Sequence, residues 1–498
     1  MTPVIRSDHM ARIDEVAQTQ YSLPSTVLME NAGIKLHRRL SALYADLLAV
    51  GPTVVLVGKG NNGGDGLVIA RQAATQGATG ISVVYLSDEL SGDPQTHMAA
   101  CRALGIPTHQ WPSDDARGAV SNAALIVDAV FGTGIRGALR GSGANLVSAA
   151  NEGDAVRVAI DVPSGLGDEF EPGFSAFTAD TTLTVELAKR CLYLPAARPF
   201  CGTIETVSIG FPKALLVADD EEAELVRWDD VETYVKSLPE SSYKKTRGVV
   251  GVFAGAVGTT GAAVLASLGC ARSRAGLVHL HVDREIYPAI ASMASSVLVH
   301  PLTDSMSVFD GFTALLMGPG WGRSEDRASM LRSAATTDVP AVVDADGLNV
   351  LAECRSRGES IAFQTTAVLT PHPGECARLT GVGTREILAD PVPHCRGLAL
   401  ETNAVIVMKS HVTYIVPPEG RVLIVDGMNA ALGTGGSGDV LAGVITGLLG
   451  SGASAVEAAV GGVLLHTEAG RRCRLTNGWF LADDLPRTVG TLFDEVRQ

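Results

Sequence analysis

Short apolar runs rich in β-branched residues recur from end to end of this 498-residue chain. Each is closed by a Gly-rich or polar turn and followed by a stretch with helical spacing. In the first half the runs are TVVLVG (53–58), ISVVYL (81–86), ALIVDAVF (124–131), VRVAIDVP (156–163) and TTLTVEL (181–187), with helices expected over 8–20, 25–50, 65–77 and 94–105. Short runs with apolar residues at both odd and even positions must be covered on both faces, so this alternation predicts a parallel sheet between layers of helices. The alternation restarts after an acidic and then basic stretch, ADDEEAELVRWDDVETYVKSLPESSYKKTRG. GVVGVFAG (248–255), VHLHV (278–282), ALLMG (314–318), AVVDAD (341–346), AVLTPH (367–372), VIVMKS (405–410) and TYIV (413–416) then precede a long Gly/Ala-rich helical region over 439–472. No sequence repeat relates the halves. A chain this long exceeds a single core. The expectation is therefore two three-layer α/β domains, 1–215 and 245–498, joined by a linker over 216–244.

The formal net charge of −15 argues against a polyanion partner, although backbone N–H groups bind small phosphorylated ligands without a basic surface. The polar N-terminus lacks an apolar signal core and no run of eighteen apolar residues occurs, so no membrane role is expected. Eight scattered cysteines without a CxxC pair suit free thiols in a reducing, cytoplasmic setting.

Two clusters carry chemistry. In GKGNNGGDG (58–66), Gly58, Gly60 and Gly63 follow a strand with G-x-G-x-x-G spacing and open a helix. A plain tight turn is one reading; a phosphate site at a helix N-terminus is another, and a dehydrogenase with Asp88 on the ribose fits the spacing. Yet the turn also holds Asn61, Asn62 and Asp65, polar groups that a pyrophosphate loop does not require. DAVFGTGIRG (128–137) and DVPSGL (161–166) end two further strands. Parallel strands deliver their C-termini to one edge, so Asn62, Asp128 and Ser164 can surround one point with oxygen ligands, a set suited to a hard cation. In the second half, GTGGSGDVLAGVITGLL (433–449) places four glycines before an apolar helix with Asp439 in its first turn. A capping aspartate does not require those glycines. Consecutive free N–H groups there would form an anion hole for a transferring phosphoryl group, with Asp439 as base.

LMENAG (28–33), GNNGGDG, DAVFGTG and DVPSGL occur in the order that resembles NAD(P)H-hydrate epimerases over most of 10–212. The resemblance implies that Asn61, Asn62, Gly63, Gly64 and Asp65, together with Gly132, Thr133, Gly134, Ile135, Arg136, Gly137 and Ala138, hold the hydrated nucleotide. It also implies that Asn62, Asp128 and Ser164 bind K+ and that Asp161 touches the substrate as acid or base. The turn after TLTVEL departs from the family's Pro-Lys-Gly pattern: Lys189 is kept between Ala188 and Arg190.

The glycine-rich hole resembles the ribokinase-like superfamily, and TGAAVLA (260–266), MGPGWG (317–322), DADGLN (344–349) and TPHPGE (370–375) resemble its NAD(P)H-hydrate dehydratase branch over about 245–495. That resemblance implies substrate contacts at Ala262, Gly320, His372 and Asp439, with Asp439 as catalytic base. A nucleotide loop is implied over Lys409, Ser410, His411, Val412 and Thr413, with Gly438 beside the phosphates. His372 by itself reads as a structural histidine. Ser410 stands where the family favours glycine, a costly change if that position needs φ > 0, and the family's Tyr before GAA is missing. The implied activity is repair of hydrated NADH and NADPH. Epimerisation of the R and S hydrates is followed by ADP-dependent dehydration of the S form, with Mg2+ and release of AMP and phosphate. A homo-oligomer is implied. Two competing readings are a different ribokinase-like small-molecule kinase fused to a Rossmann-like domain, and a non-enzymatic binding protein whose N-terminal domain is a nucleotide-dependent partner surface.

Overall fold

The computed structural model describes residues 1–217, 223–302 and 309–496. The chain forms two compact units, Thr2–Ala223 and, with Met1, the residues from Glu224 onward. Of the expected linker, residues 218–222 lie outside the described residues. The part after Glu224 groups with the C-terminal unit and includes the short helix Val231–Tyr234.

The N-terminal unit is a seven-stranded parallel sheet in the spatial order 108–110, 81–85, 53–57, 125–129, 156–160, 181–185 and 203–207. Strands Thr53–Val57 and Leu125–Ala129 are buried at every residue, as strands between two helical layers must be. The connection runs outward in one direction from 53–57 to 81–85 and in the other to 125–129. A crevice therefore opens at the carboxyl ends of this central pair, where ligands bind in such sheets. Helices Ser7–Thr19, Ser25–Val50, Asn61–Thr75 and Asp93–Ala103 match the expected stretches, and Thr203–Val207 is an added edge strand.

In the C-terminal unit, strands 298–301, 277–282, 249–253, 314–317, 341–343, 367–369 and 404–408 run parallel in that order. The sheet then turns antiparallel. Val412–Val416 pairs back on 404–408, and Val422–Asp426 pairs on it in turn. The expected single helical region is two helices, Ser437–Gly450 and Ala455–Asn477. Gly452, at φ +99°, breaks the first. Ser454 caps the second, accepting from Glu457 N while the Glu457 side chain accepts from Ser454 N.

Helix Ser437–Gly450 is buried from Val440 to its end, as a helix apolar on all sides must be. It crosses Thr260–Arg272 at glycines. A Cβ on Gly443 would lie 2.1 Å from the Ala266 carbonyl oxygen, and one on Gly269 would lie 2.6 Å from that of Val440. The eight cysteines are all buried free thiols, with Cys376 and Cys395 3.8 Å apart at sulfur. Among the described residues no helix is long and apolar enough to cross a membrane.

Candidate functional site

In the N-terminal unit three turns meet at the crevice. Gly58 ends the first strand where a Cβ would lie 1.8 Å from the Val130 carbonyl oxygen, so glycine alone lets the two strand ends close up. Asn61, Asn62, Asp65, Gly132, Thr133, Gly134, Ile135 and Asp161 line a cavity of about 620 Å³. Gly63 and Gly64 do not line it; they let the helix pack, since a Cβ would meet the Gly58 carbonyl at 2.1 Å and the Met29 sulfur at 2.4 Å respectively. Arg136, Gly137 and Ala138 lie beyond the lining residues, with Arg136 exposed.

Asp128 is fully buried at its strand end. One carboxylate oxygen accepts from Ser164 N and the other from Ser164 Oγ, both at 2.7 Å. Burial pushes its carboxyl up to about 6 despite these bonds. Asn62 Nδ2 donates to the Phe131 carbonyl at 3.1 Å, and its Oδ1 is buried without a hydrogen-bond partner. Asn62 and Ser164 are thus joined through Phe131, whose N–H donates to Ser164 Oγ at 2.8 Å. This all-oxygen set with one orphaned acceptor fits a hard cation.

Asp161 sits at φ +65°, a strained conformation for a non-glycine residue. Its Oδ1 accepts from Lys189 Nζ at 2.5 Å and from Val185 N at 3.1 Å. Lys189, kept from an otherwise altered turn, is buried and lines the same cavity. Asp14, Met29 and Phe211 also line it; sequence reasoning missed them because they reach the crevice from outside the Gly-rich turns.

In the C-terminal unit the glycine-rich segment behaves as a row of free donors. Of the backbone N–H groups from 434 to 439, only that of Ser437 donates within the described residues, to the Thr434 carbonyl at 3.3 Å. Gly436 is left-handed at φ +91°, and a Cβ there would lie 2.4 Å from Leu265 Cδ1. Ser437 is fastened from behind by buried His466, whose Nε2 lies 3.0 Å from both Ser437 Oγ and its carbonyl. Burial pushes His466 down to about 4, so the ring is neutral.

Asp439 is half-buried beside this row. Burial pushes its carboxyl up to about 7; Asp344 adds to the shift, Lys409 opposes it, and Asp346 and Glu375 add smaller amounts. Burial works against the Lys409 ammonium, yet Asp344 and Glu375 hold its pKa above the ordinary value. Lys409 Nζ lies 2.6 Å from Asp344 Oδ1 and 3.3 Å from where a Cβ on Gly438 would sit. The Lys409 N–H donates to the Pro371 carbonyl at 2.8 Å, tying the 409–411 turn to the TPHPGE segment.

Ser410 carries no backbone strain: the described non-glycine residues with positive φ are Ser22, Asp161, Glu186, Arg274, Ala345 and Asn403. Its Oγ lies 3.2 Å from His411 Nδ1. Thr413 is buried in the strand Val412–Val416, part of the hairpin that carries the turn. His372 caps helix Pro373–Thr380, its Nδ1 accepting from Gly374 N at 3.0 Å, while the ring stays half-exposed with Nε2 3.6 Å from Glu375 Oε1. Gly320, at φ +55°, and Ala262 face each other, a Cβ on the glycine falling 3.0 Å from that of Ala262. Asp346 accepts from Gly322 N at 2.9 Å, drawing this turn toward Asp344.

The sequence model described as NAD(P)H-hydrate dehydratase matches residues 250–490, and that described as YjeF-related protein N-terminus matches 25–191. The chain is 32% identical to the bifunctional NAD(P)H-hydrate repair enzyme Nnr of Moorella thermoacetica over 99% of this chain and 98% of that protein. Its counterpart in Salinibacter ruber is 33% identical, with 100% and 98% covered. Among solved structures, a ribokinase-like superfamily protein from Enterococcus faecalis superposes with a TM-score of 0.50 at 23% identity, over 55% of this chain and 96% of that one, a likeness of fold.

Proposed function

This chain belongs to the family of bifunctional NAD(P)H-hydrate repair enzymes, and from that premise we propose that its N-terminal unit epimerises hydrated NADH and NADPH while its C-terminal unit dehydrates the S form at the expense of ADP. The observation that carries the second half is the row of free N–H groups over 434–439 beside a carboxyl poised near neutrality. Asp439 takes the proton of the ring hydroxyl, whose oxygen attacks the terminal phosphorus of ADP, and AMP leaves. The N–H row stabilises charge on the phosphoryl oxygens as it passes. Phosphate then departs with the C–O bonding electrons, a proton is lost from the adjacent ring carbon, and the dihydropyridine is restored. Hydroxide is a poor leaving group at neutral pH and phosphate a good one, which is why a phosphate-handling fold suits a dehydration.

Lys409 and the residues from Ser410 to Thr413 hold the nucleotide, and Ala262, Gly320 and His372 face the hydrate. The pairing of Lys409 with Asp344, and the approach of its ammonium to within 3.3 Å of where a Cβ on Gly438 would sit, support that assignment. Among the described residues no three His, Cys, Asp or Glu side chains converge as a metal cage. Mg2+ is commonly held by phosphates, water and one or two carboxylates, a part that Asp344 or Asp346 would take here. When bound it would neutralise charge on the transferring phosphates.

In the N-terminal unit, Asn62, Asp128 and Ser164 would hold K+, and the unpartnered Asn62 Oδ1 supports this. A bound K+ would supply fixed positive charge near the crevice. Asp161, clamped by Lys189, serves the ring carbon that bears the hydroxyl. A cytoplasmic location and a homo-oligomeric state accompany this reading as expectations from the resemblance.

The deciding experiment mixes the purified protein with racemic hydrated NADH, ADP, K+ and Mg2+ and follows the absorbance of restored NADH. Complete conversion is expected. A halt near half of the substrate means that the N-terminal site is inactive, and no conversion with either ADP or ATP overturns the dehydratase assignment. A stable phosphorylated product from a small alcohol would instead favour a different ribokinase-like kinase.

A further inference from the structure

The cavity of the N-terminal unit is bordered by three carboxyl groups on separate elements: Asp14 on helix Ser7–Thr19, Asp65 on helix Asn61–Thr75 and Asp161 beyond strand Val156–Ile160. Two of them have partners. Asp161 binds Lys189 at 2.5 Å, and Asp14 accepts from Gln18 Nε2 at 3.2 Å. Among the described residues the Asp65 side chain has neither a hydrogen bond nor an ion pair, and it borders the cavity directly. The cations on the same cavity are Lys189, already engaged, and Lys59 in the turn before the helix. An unpaired carboxyl in so enclosed a place is more stable with its proton on.

We infer that Asp65 is a catalytic acid of the epimerase, giving its proton to the departing ring hydroxyl while the ion-paired Asp161 carboxylate serves as its complement. This rests on the reading of the cavity as a hydrate epimerase site. The proton passes to the hydroxyl oxygen, the C–O bond breaks with its electron pair staying on that oxygen, and water is released. The lone pair of the ring nitrogen fills the vacancy, giving an iminium ion. Water adds to the other face of the same carbon, the electron pair returns to nitrogen, and the surplus proton goes to Asp161. Proton exchange between the two carboxyl groups restores the start, so nothing is oxidised or reduced. Burial holds Asp65 well above the usual carboxylate range, Asp161 and Asp14 reinforce this, and Lys189 opposes it. Asp14 is itself raised by burial against its bond to Gln18. Two carboxyl groups in one site, one protonated and one ion-paired, form an acid–base couple.

The test follows the ratio of R to S hydrate without ADP, across pH, for the wild type and for Asp65→Asn and Asp65→Glu. In the wild type, kcat falls as pH rises through the titration of the acid. Asp65→Asn lowers kcat by on the order of 10²–10⁴-fold with little change in KM and removes that alkaline fall; Asp65→Glu restores the fall and part of the rate. An Asp65→Asn protein with wild-type kcat, or one that keeps the alkaline fall, overturns the assignment. Should the asparagine variant not fold, a wild-type kcat with no alkaline fall overturns it equally. A wild type that leaves the isomer ratio untouched overturns the epimerase reading itself, and this assignment with it.

Discussion

Asp439 shows how much of a site is written locally and how much is not. Its position after four glycines marked it in the sequence as a candidate base, whereas Asp161 was marked by the family resemblance of DVPSGL. Their partners were invisible there. Lys409 meets Asp344 across 65 residues of chain, and Lys189 meets Asp161 across 28, through sheet register that no short window encodes. For His372 the structural reading is what the ring displays: Nδ1 caps a helix, while the rest of the ring stays half-exposed. The raised Asp439 carboxyl sets a sign for pH dependence. The base form accumulates as pH rises, so kcat/KM for dehydration should climb through about pH 7 and then level. Asp439→Asn should cut dehydration by on the order of 10²–10⁴-fold while R/S interconversion persists, as separate assays of NADH absorbance and isomer ratio would report.

At the level of elements, the strands buried on both faces were legible because β-branched and apolar residues dominate them. The edge strand Thr203–Val207 escaped notice because Thr203 and Glu205 interrupt its apolar run. The hairpin after Met408 was hidden by the expectation of parallel repeats. The long helical region was divided by a signal that was in plain view, Ser454 and Glu457 at capping-box spacing. Glycines in these helices differ sharply in what they permit. Gly443→Ala would press a methyl against the Ala266 backbone and should cost about 1–3 kcal/mol. Gly397, inside helix Pro391–Thr402 with open space around it, should gain up to about 1 kcal/mol on replacement by alanine. Chemical denaturation of the two variants checks both signs.

Across the whole molecule, the two units hold separate apolar clusters, Ile5 through Phe211 in one and Val226 through Val496 in the other. The restart of the alternation after the charged stretch announced two domains. The boundary at Ala223 lies inside the expected linker because charge composition marks a region and not a residue. Differential scanning calorimetry should therefore resolve two transitions. ADP with Mg2+ should raise one of them, by about 2.7 kcal/mol at a hundredfold excess over Kd, and K+ in place of a bulky organic cation should raise the other. The buried thiols add a built-in recorder of such events. Cys101, Cys191 and Cys201 lie in the first unit and Cys270, Cys354, Cys376, Cys395 and Cys473 in the second. An alkylating pulse marks a sulfur only after its surroundings have opened, so the peptides that gain mass name the half of the chain that let go first.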